Sequence, residues 1–213
     1  MSRCIIISSG VINDYSFYQS EICPDDYIIC ADGGIRHLIS IGFSPDLWIG
    51  DFDSCRLRDI INDHPELKSV ETVVLNTDKD VTDTHYACIE AIKRGYKKII
   101  IWGAFGGRID HMISNIHLIE FVADNGAEAI LQDEKNTVSL CRDDIKIIKN
   151  RKYISLIPID RSVIIDNTFG LKYPLNNYQL CREISLGVSN EIIDDYALIS
   201  VKSGSVLIVE SDD

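Results

Sequence analysis

Apolar residues in the first 130 positions come in short, nearly unbroken runs, each followed by polar residues and then, for most, by a stretch of helical period. The runs CIIISS, YIICA, DLWIG, SVETVVL, KKIIIWGA and AEAILQD have strand length. Between them GGIRHLISIG, RLRDIINDH, VTDTHYACIEAIKRG and DHMISNIHLIEFVADNG read as helices, the first closed by Gly42 and the third by Gly95. Alternation of this kind predicts a parallel sheet with helices on both faces. The continuity of the apolar runs agrees, because a strand covered on both faces has no polar side.

After residue 135 the pattern changes. NTVSLC, DIKIIK, KYISLIPI, SVIIDNT, YALISV and SVLIVE alternate apolar and polar positions, turn residues separate them, and no long helical period survives. This predicts an all-β second domain of sandwich or jelly-roll type. The boundary falls in Gln132 to Asn136, giving domains 1–133 and 134–213.

Composition narrows the class. A chain of 213 residues with 46% hydrophobic and 25% charged positions can bury a sizeable core and does not read as disordered. No apolar run approaches the roughly 20 residues of a membrane span, and MSRCIIISSGV reads as a first strand rather than a signal peptide. No membrane partner is therefore expected. Seven cysteines lack any CxxC pair, and most, such as Cys4, Cys30 and Cys88, sit in apolar runs, as free thiols of a reducing cytoplasm do. The net charge of −12 argues against sequence-independent nucleic-acid binding. It leaves a phosphate-bearing small molecule open, provided metal ions screen the carboxylates.

Four polar clusters follow the expected strands: ADGG (Ala31–Gly34), GDFDS (Gly50–Ser54), NTDKDVTD (Asn76–Asp83) and GAFGGRIDH (Gly103–His111). Each alone also suits a turn or a helix cap. Together they mark the carboxyl edge of a parallel sheet, where open α/β folds bind ligands. Asp32, Asp51, Asp53, Asp78, Asp80, Asp83 and Asp110 would crowd that edge. Two carboxylates about 4 Å apart repel by roughly 4 kcal/mol at an effective dielectric near 20. Hard divalent cations resolve this, since Mg²⁺ takes a few carboxylates and completes its shell with substrate phosphates. Arg108, in a glycine-rich turn before a helix, suits a phosphate or a structural ion pair equally well. His85, His111 and His117 show no zinc-ligand spacing and read as structural or solvated. The GxGxxG fingerprint and the P-loop are both absent.

These motifs resemble those of the thiamine pyrophosphokinase (thiamine diphosphokinase) family. ADGG, PDLWIGDFDS, DKDVTD, GGRIDH with Asn115 following, GLKYPL and GVSNE occur in family order, from Ala31 to Asn190. The resemblance implies a Rossmann-like α/β domain that binds nucleotide and metal, followed by a β-sandwich that binds thiamine. It implies transfer of an intact pyrophosphoryl group from ATP to the hydroxyl of thiamine, giving thiamine diphosphate and AMP. Asp51, Asp53 and Asp83 are the implied Mg²⁺ ligands. Asp32, Gly33, Gly34, Asp78, Thr82, Gly106, Gly107, Arg108 and Asp110 fall to ATP and its phosphates. Tyr173, Ser189 and Asn190 would hold thiamine, with the Tyr173 ring facing the cationic thiazolium. Lys79 stands where some relatives have Gln. The proton acceptor stays open among Asp51, Asp80 and Asp83. The resemblance also implies a cytoplasmic homodimer whose sites join the α/β domain of one chain to the β domain of the other. Two rivals are a metal-dependent nucleotide-sugar transferase, which needs no TD helix start or GGRxD turn, and a non-catalytic nucleotide regulator, which needs no carboxylate cluster.

Overall fold

The computed structural model describes residues 3–52, 57–76, 78 and 80–213. They form two compact units, 1–134 and 135–213.

In the first unit the apolar runs become strands β1 (Cys4–Ile7), β2 (Tyr27–Ala31), β3 (Leu47–Gly50), β4 (Glu71–Val74), β5 (Lys98–Trp102) and β6 (Glu128–Gln132). All neighbours pair in parallel, in the order β4-β3-β2-β1-β5-β6. Every residue of β1 and β3 is buried, which is why these segments carry no polar alternation. Five helices fill the crossovers: α1 (Tyr15–Glu21), α2 (Ile35–Ile41), α3 (Leu57–Asp63), α4 (Asp83–Lys93) and α5 (Ile109–Asp124). Gly42 ends α2 in the left-handed conformation at φ +86°, where its N–H meets the Leu38 and Ile39 carbonyls. Trp48, Trp102 and Tyr18 are fully buried and anchor the core. Tyr18 meets Trp102 edge-on, with ring centroids 5.0 Å apart.

Helix α1 has no counterpart in the sequence reading. Its segment YSFYQSE buries only Tyr18, so it lacks the repeating apolar stripe that signals a helix. A local cap starts it: the Asp14 carboxylate accepts from the Ser16 N–H at 2.9 Å.

The second unit is antiparallel. Strands β7 (Asn136–Cys141), β9 (Tyr153–Pro158) and β13 (Val206–Ser211) form one layer in the order β7-β13-β9. Strands β8 (Asp144–Ile148), β10 (Ser162–Phe169), β11 (Tyr178–Cys181) and β12 (Tyr196–Ser203) form the other, in the order β11-β10-β12-β8. Ile154, Leu156 and Ile208 from one layer and Val163, Ile165 and Ile199 from the other share one apolar core. Strand β11 also escapes the sequence pattern, because Leu180 is its one buried residue. The six described cysteines are free thiols, with Cys4, Cys30, Cys88 and Cys141 buried.

Candidate active site

The sheet order creates a specific opening. Strands β2, β3 and β4 extend from one side of β1, while β5 and β6 lie on the other. The chain thus reverses direction across the sheet between β1 and β5, and a crevice opens beyond their carboxyl ends. Past the strands, the two segments stay paired. The N–H groups of Ser8, Gly10 and Val11 donate to the carbonyls of Trp102, Gly103 and Phe105 at 2.9, 2.8 and 2.9 Å. A β-carbon on Gly10 would stand 2.3 Å from the Gly103 oxygen, so only glycine permits this approach.

A cleft of about 270 Å³ lies here, between Ser8 to Gly10 on one wall and Gly103 to Arg108 on the other, with Thr84 and Asn115 entering from α4 and α5. Asn115 is buried, and its amide donates to the Ala104 carbonyl at 2.9 Å, fixing the β5 loop. Gly106 and Gly107 turn that loop with φ of +78° and +69°. No atom lies within 4 Å of where a Gly107 β-carbon would be, so its backbone faces open space. Among the described residues the polar side chains lining the cleft are hydroxyls, an amide, the Arg108 guanidinium and His111, with no carboxylate.

Carboxylates occupy the neighbouring part of the edge. Asp32 follows β2 in a short turn with Gly33 and Gly34 and holds φ +44°. Its carbonyl accepts from the Trp48 indole at 3.1 Å. A β-carbon on Gly50 would stand 3.1 Å from the Asp32 Cα, so the end of β3 runs close against it. Asp51 is half-buried and is followed by Phe52 at φ +60°, whose ring meets Trp48 edge-on at 5.1 Å. Two non-glycine residues in the left-handed region, on adjacent strand ends, mark stored strain of the kind found at ligand sites. Asp83 opens α4 and is half-buried, while Asp78 and Asp80 are exposed. Thr82 caps α4, its hydroxyl oxygen accepting from the His85 N–H at 3.2 Å. Asp53 and Lys79 lie outside the described residues. Among the described residues no three His, Cys, Asp or Glu side chains group closely enough to hold a metal by themselves.

Arg108 precedes α5 and forms a two-point pair with Asp110, at 3.1 and 2.5 Å. Arg108 first, and then the His111 N–H, hold the Asp110 carboxyl down at about 2. Both side chains are exposed, so a ligand anion can compete for the guanidinium. His85 packs edge-on against Phe121, with centroids 4.4 Å apart.

The second unit has its own cleft, of about 410 Å³ and mostly apolar, lined by Leu156, Tyr173, Pro174, Tyr178, Val188 and Asn190 among others. The Asn190 side chain is buried and clasps the Tyr173 backbone. Ser189 stands outside the lining, at φ +58°, with its N–H donating to the Ser155 hydroxyl at 2.9 Å.

Sequence reasoning missed Ser8, Ser9, Gly10 and Thr84; it read His111 as structural or solvated, and His111 is exposed at the cleft. The signal present was SSG directly after the first apolar run, a fifth small-residue cluster at a strand end.

The chain matches the family profile "Thiamin pyrophosphokinase, catalytic domain" over residues 18–131 and "Thiamin pyrophosphokinase, vitamin B1 binding domain" over residues 142–206. The chain belongs to the thiamin pyrophosphokinase family. It is therefore an enzyme of the diphosphotransferase class. The thiamine pyrophosphokinase of Bacillus subtilis (strain 168) is 31% identical over 222 residues, covering 100% of both chains. Thiamin pyrophosphokinase 1 of Caenorhabditis elegans is 27% identical, covering 86% of this chain and 79% of its own length. Among solved structures, the thiamin pyrophosphokinase of Geobacillus thermodenitrificans superposes with a TM-score of 0.87 at 27% identity, covering 100% of this chain and 98% of that one. The profile for the catalytic domain begins beyond β1, so Ser8 to Gly10 lie ahead of it.

Proposed function

We propose that this enzyme transfers a pyrophosphoryl group from ATP to the hydroxyl of thiamine, giving thiamine diphosphate and AMP. The observation that carries this reading is the division of one sheet edge. A donor-lined cleft between β1 and β5 adjoins the carboxylates that follow β2 and β3. A polyphosphate needs both, donors for its oxygens and carboxylates for its counter-cations.

In this reading residues 1–133 bind nucleotide and metal, and residues 134–213 bind thiamine. The loop amides of Gly106 and Gly107, the Thr82 hydroxyl and Arg108 orient the triphosphate, with Asp32, Gly33, Gly34, Asp78 and Asp110 around it. The hydroxyl oxygen attacks the β-phosphorus in line and AMP leaves; attack at the γ-phosphorus would give ADP instead. Which phosphorus reacts is decided by position, at an approach distance of about 3 to 3.5 Å. The hydroxyl proton passes to Asp51, Asp80 or Asp83. The all-oxygen donor set fits Mg²⁺, held by Asp51 and Asp83 with Asp53, and bound Mg²⁺ would neutralise charge on the phosphate oxygens. Tyr173 offers its ring to the thiazolium and Asn190 fixes the loop that carries it, with Ser189 beside it.

The test is incubation with ATP and Mg²⁺, with and without thiamine. Thiamine-dependent AMP, equimolar with thiamine diphosphate, is expected. ADP, or no thiamine-dependent turnover, would overturn the reading. It also includes a cytoplasmic homodimer with shared sites. Refolding Asp83→Asn and Tyr173→Ala chains together should then restore about a quarter of wild-type activity once the residual turnover of the Tyr173→Ala chain is subtracted, because half the dimers are mixed and each has one intact site. No recovery in confirmed dimers would refute site sharing.

A further inference from the structure

The floor of the cleft between β1 and β5 holds two buried hydroxyls that no step above uses. Ser8 follows β1 and is 4% exposed; Thr84 is the second residue of α4 and is 9% exposed. Their oxygens are 2.9 Å apart, and both residues line the cleft. A pair of hydroxyls carries two protons. One closes the Ser8–Thr84 bond; the other has no acceptor among the described residues. Burying a donor without an acceptor costs about 1–3 kcal/mol, so folding alone gains little from putting a second hydroxyl here. A ligand oxygen entering the cleft would supply the missing partner.

The surroundings say which kind of oxygen. Arg108 and the glycine turn of Gly106 and Gly107 line the cleft, and among the described residues no carboxylate does. A guanidinium beside an open hydroxyl proton suits a group that has acceptors only, and a phosphate is such a group. We propose that the Ser8–Thr84 pair is a hydrogen-bond donor to a phosphate oxygen of the nucleotide and, through that bond, a positioning element for the reaction. The pair also ties β1 to the first turn of α4, which carries Thr82 and Asp83. Filling its open valence therefore holds the start of α4 against the sheet when nucleotide is bound. The inference rests on the nucleotide-dependent reading above.

The test uses Ser8→Ala, Thr84→Val, the double variant and Thr84→Ser, in the full chain. Thr84→Val keeps shape and loses the oxygen; Thr84→Ser keeps the oxygen. Affinity for ATP and for inorganic tripolyphosphate is measured by calorimetry without thiamine, so the answer does not depend on turnover. Loss of either hydroxyl should weaken both ligands about tenfold, the usual worth of a hydrogen bond to a charged group. Thr84→Ser should match wild type, and the double variant should be no weaker than the worse single one, because the pair acts as a unit. In the reaction, KM for ATP should rise and KM for thiamine should not. If ATP affinity stays within about twofold while the melting temperature falls, the pair is a structural tie and the proposal fails. If ATP weakens and tripolyphosphate does not, the acceptor lies on the nucleoside and the phosphate assignment fails. A wild-type chain that binds ATP but shows no thiamine-dependent AMP overturns the proposed reaction and leaves the binding result to stand or fall by itself.

Discussion

Asn190 grips Tyr173 on both sides of its backbone: Oδ1 accepts from the Tyr173 N–H at 3.0 Å, and Nδ2 donates to the Tyr173 carbonyl at 2.7 Å. The same Oδ1 accepts from the Glu191 N–H at 2.9 Å. The amide thus sets where an exposed aromatic ring stands at the mouth of an apolar cleft. Asn190→Ala removes the acceptor of two N–H groups and should cost about 1–3 kcal/mol of stability, read by denaturant unfolding. It should raise KM for thiamine and leave KM for ATP unchanged. Tyr173→Ala should do the same without the stability loss, and Tyr173→Trp should be tolerated.

Gly10 should be intolerant of any side chain. Its β-carbon would press on two backbone oxygens, Gly103 at 2.3 Å and Phe105 at 2.5 Å, neither of which can swing aside. Gly10→Ala should lose about 1–3 kcal/mol or more and weaken ATP binding by parting the β1 and β5 loops. Gly107→Ala meets no atom within 4 Å and carries only the strain of its φ of +69°, about 1 kcal/mol. Melting temperatures of the two variants, at about 2–4 °C per kcal/mol, should therefore fall unequally.

Removing metal should abolish turnover, and adding Mg²⁺ should restore it. Asp51→Asn and Asp83→Asn should each lose most activity, keep the fold by circular dichroism, and resist rescue by Mg²⁺. Turnover by metal-free wild type would contradict this.

His37 should make stability fall in mild acid. Its Nε2 lies 2.8 Å from the Gly10 carbonyl, which can only accept, so Nε2 carries the proton and Nδ1 accepts from the Tyr15 hydroxyl at 3.0 Å. Burial, the dominant cause, pushes the imidazole pKa below its ordinary value. The unfolded chain therefore binds the proton first. His37 contributes stability that is complete above about pH 6.5 and is lost as pH falls from there through the lowered folded value. The difference between wild type and His37→Gln, measured from pH 8 to 5, should show that slope.

Much of the fold was legible because buried strands announce themselves as apolar runs, as β1 and β3 do; β4, with no buried residue, was found by its β-branched Thr72, Val73 and Val74 instead. What stayed hidden was lateral order. Nothing in CIIISS or KKIIIWGA says that β1 lies beside β5, and that adjacency makes the cleft. So SSG looked like the tail of a strand, and Thr84 like one more helical residue, until topology brought them together. Tyr178 lines the second cleft for the same reason, from the start of β11, a strand with no apolar pattern of its own.

The adjacency of β1 and β5 gives the cleft a history during synthesis. Gly10 and Gly103 are about 90 positions apart, and at about 5–20 residues per second the first wall waits on the order of 5 to 20 s for the second. During that wait β1 to β4 are present, but the sheet lacks its central seam, and no nucleotide can steady the nascent chain at this place. On the proposed reading of this cleft, ATP can act as a folding ligand only once β5 has emerged, so a ribosome-bound fragment ending before Lys98 is beyond its reach.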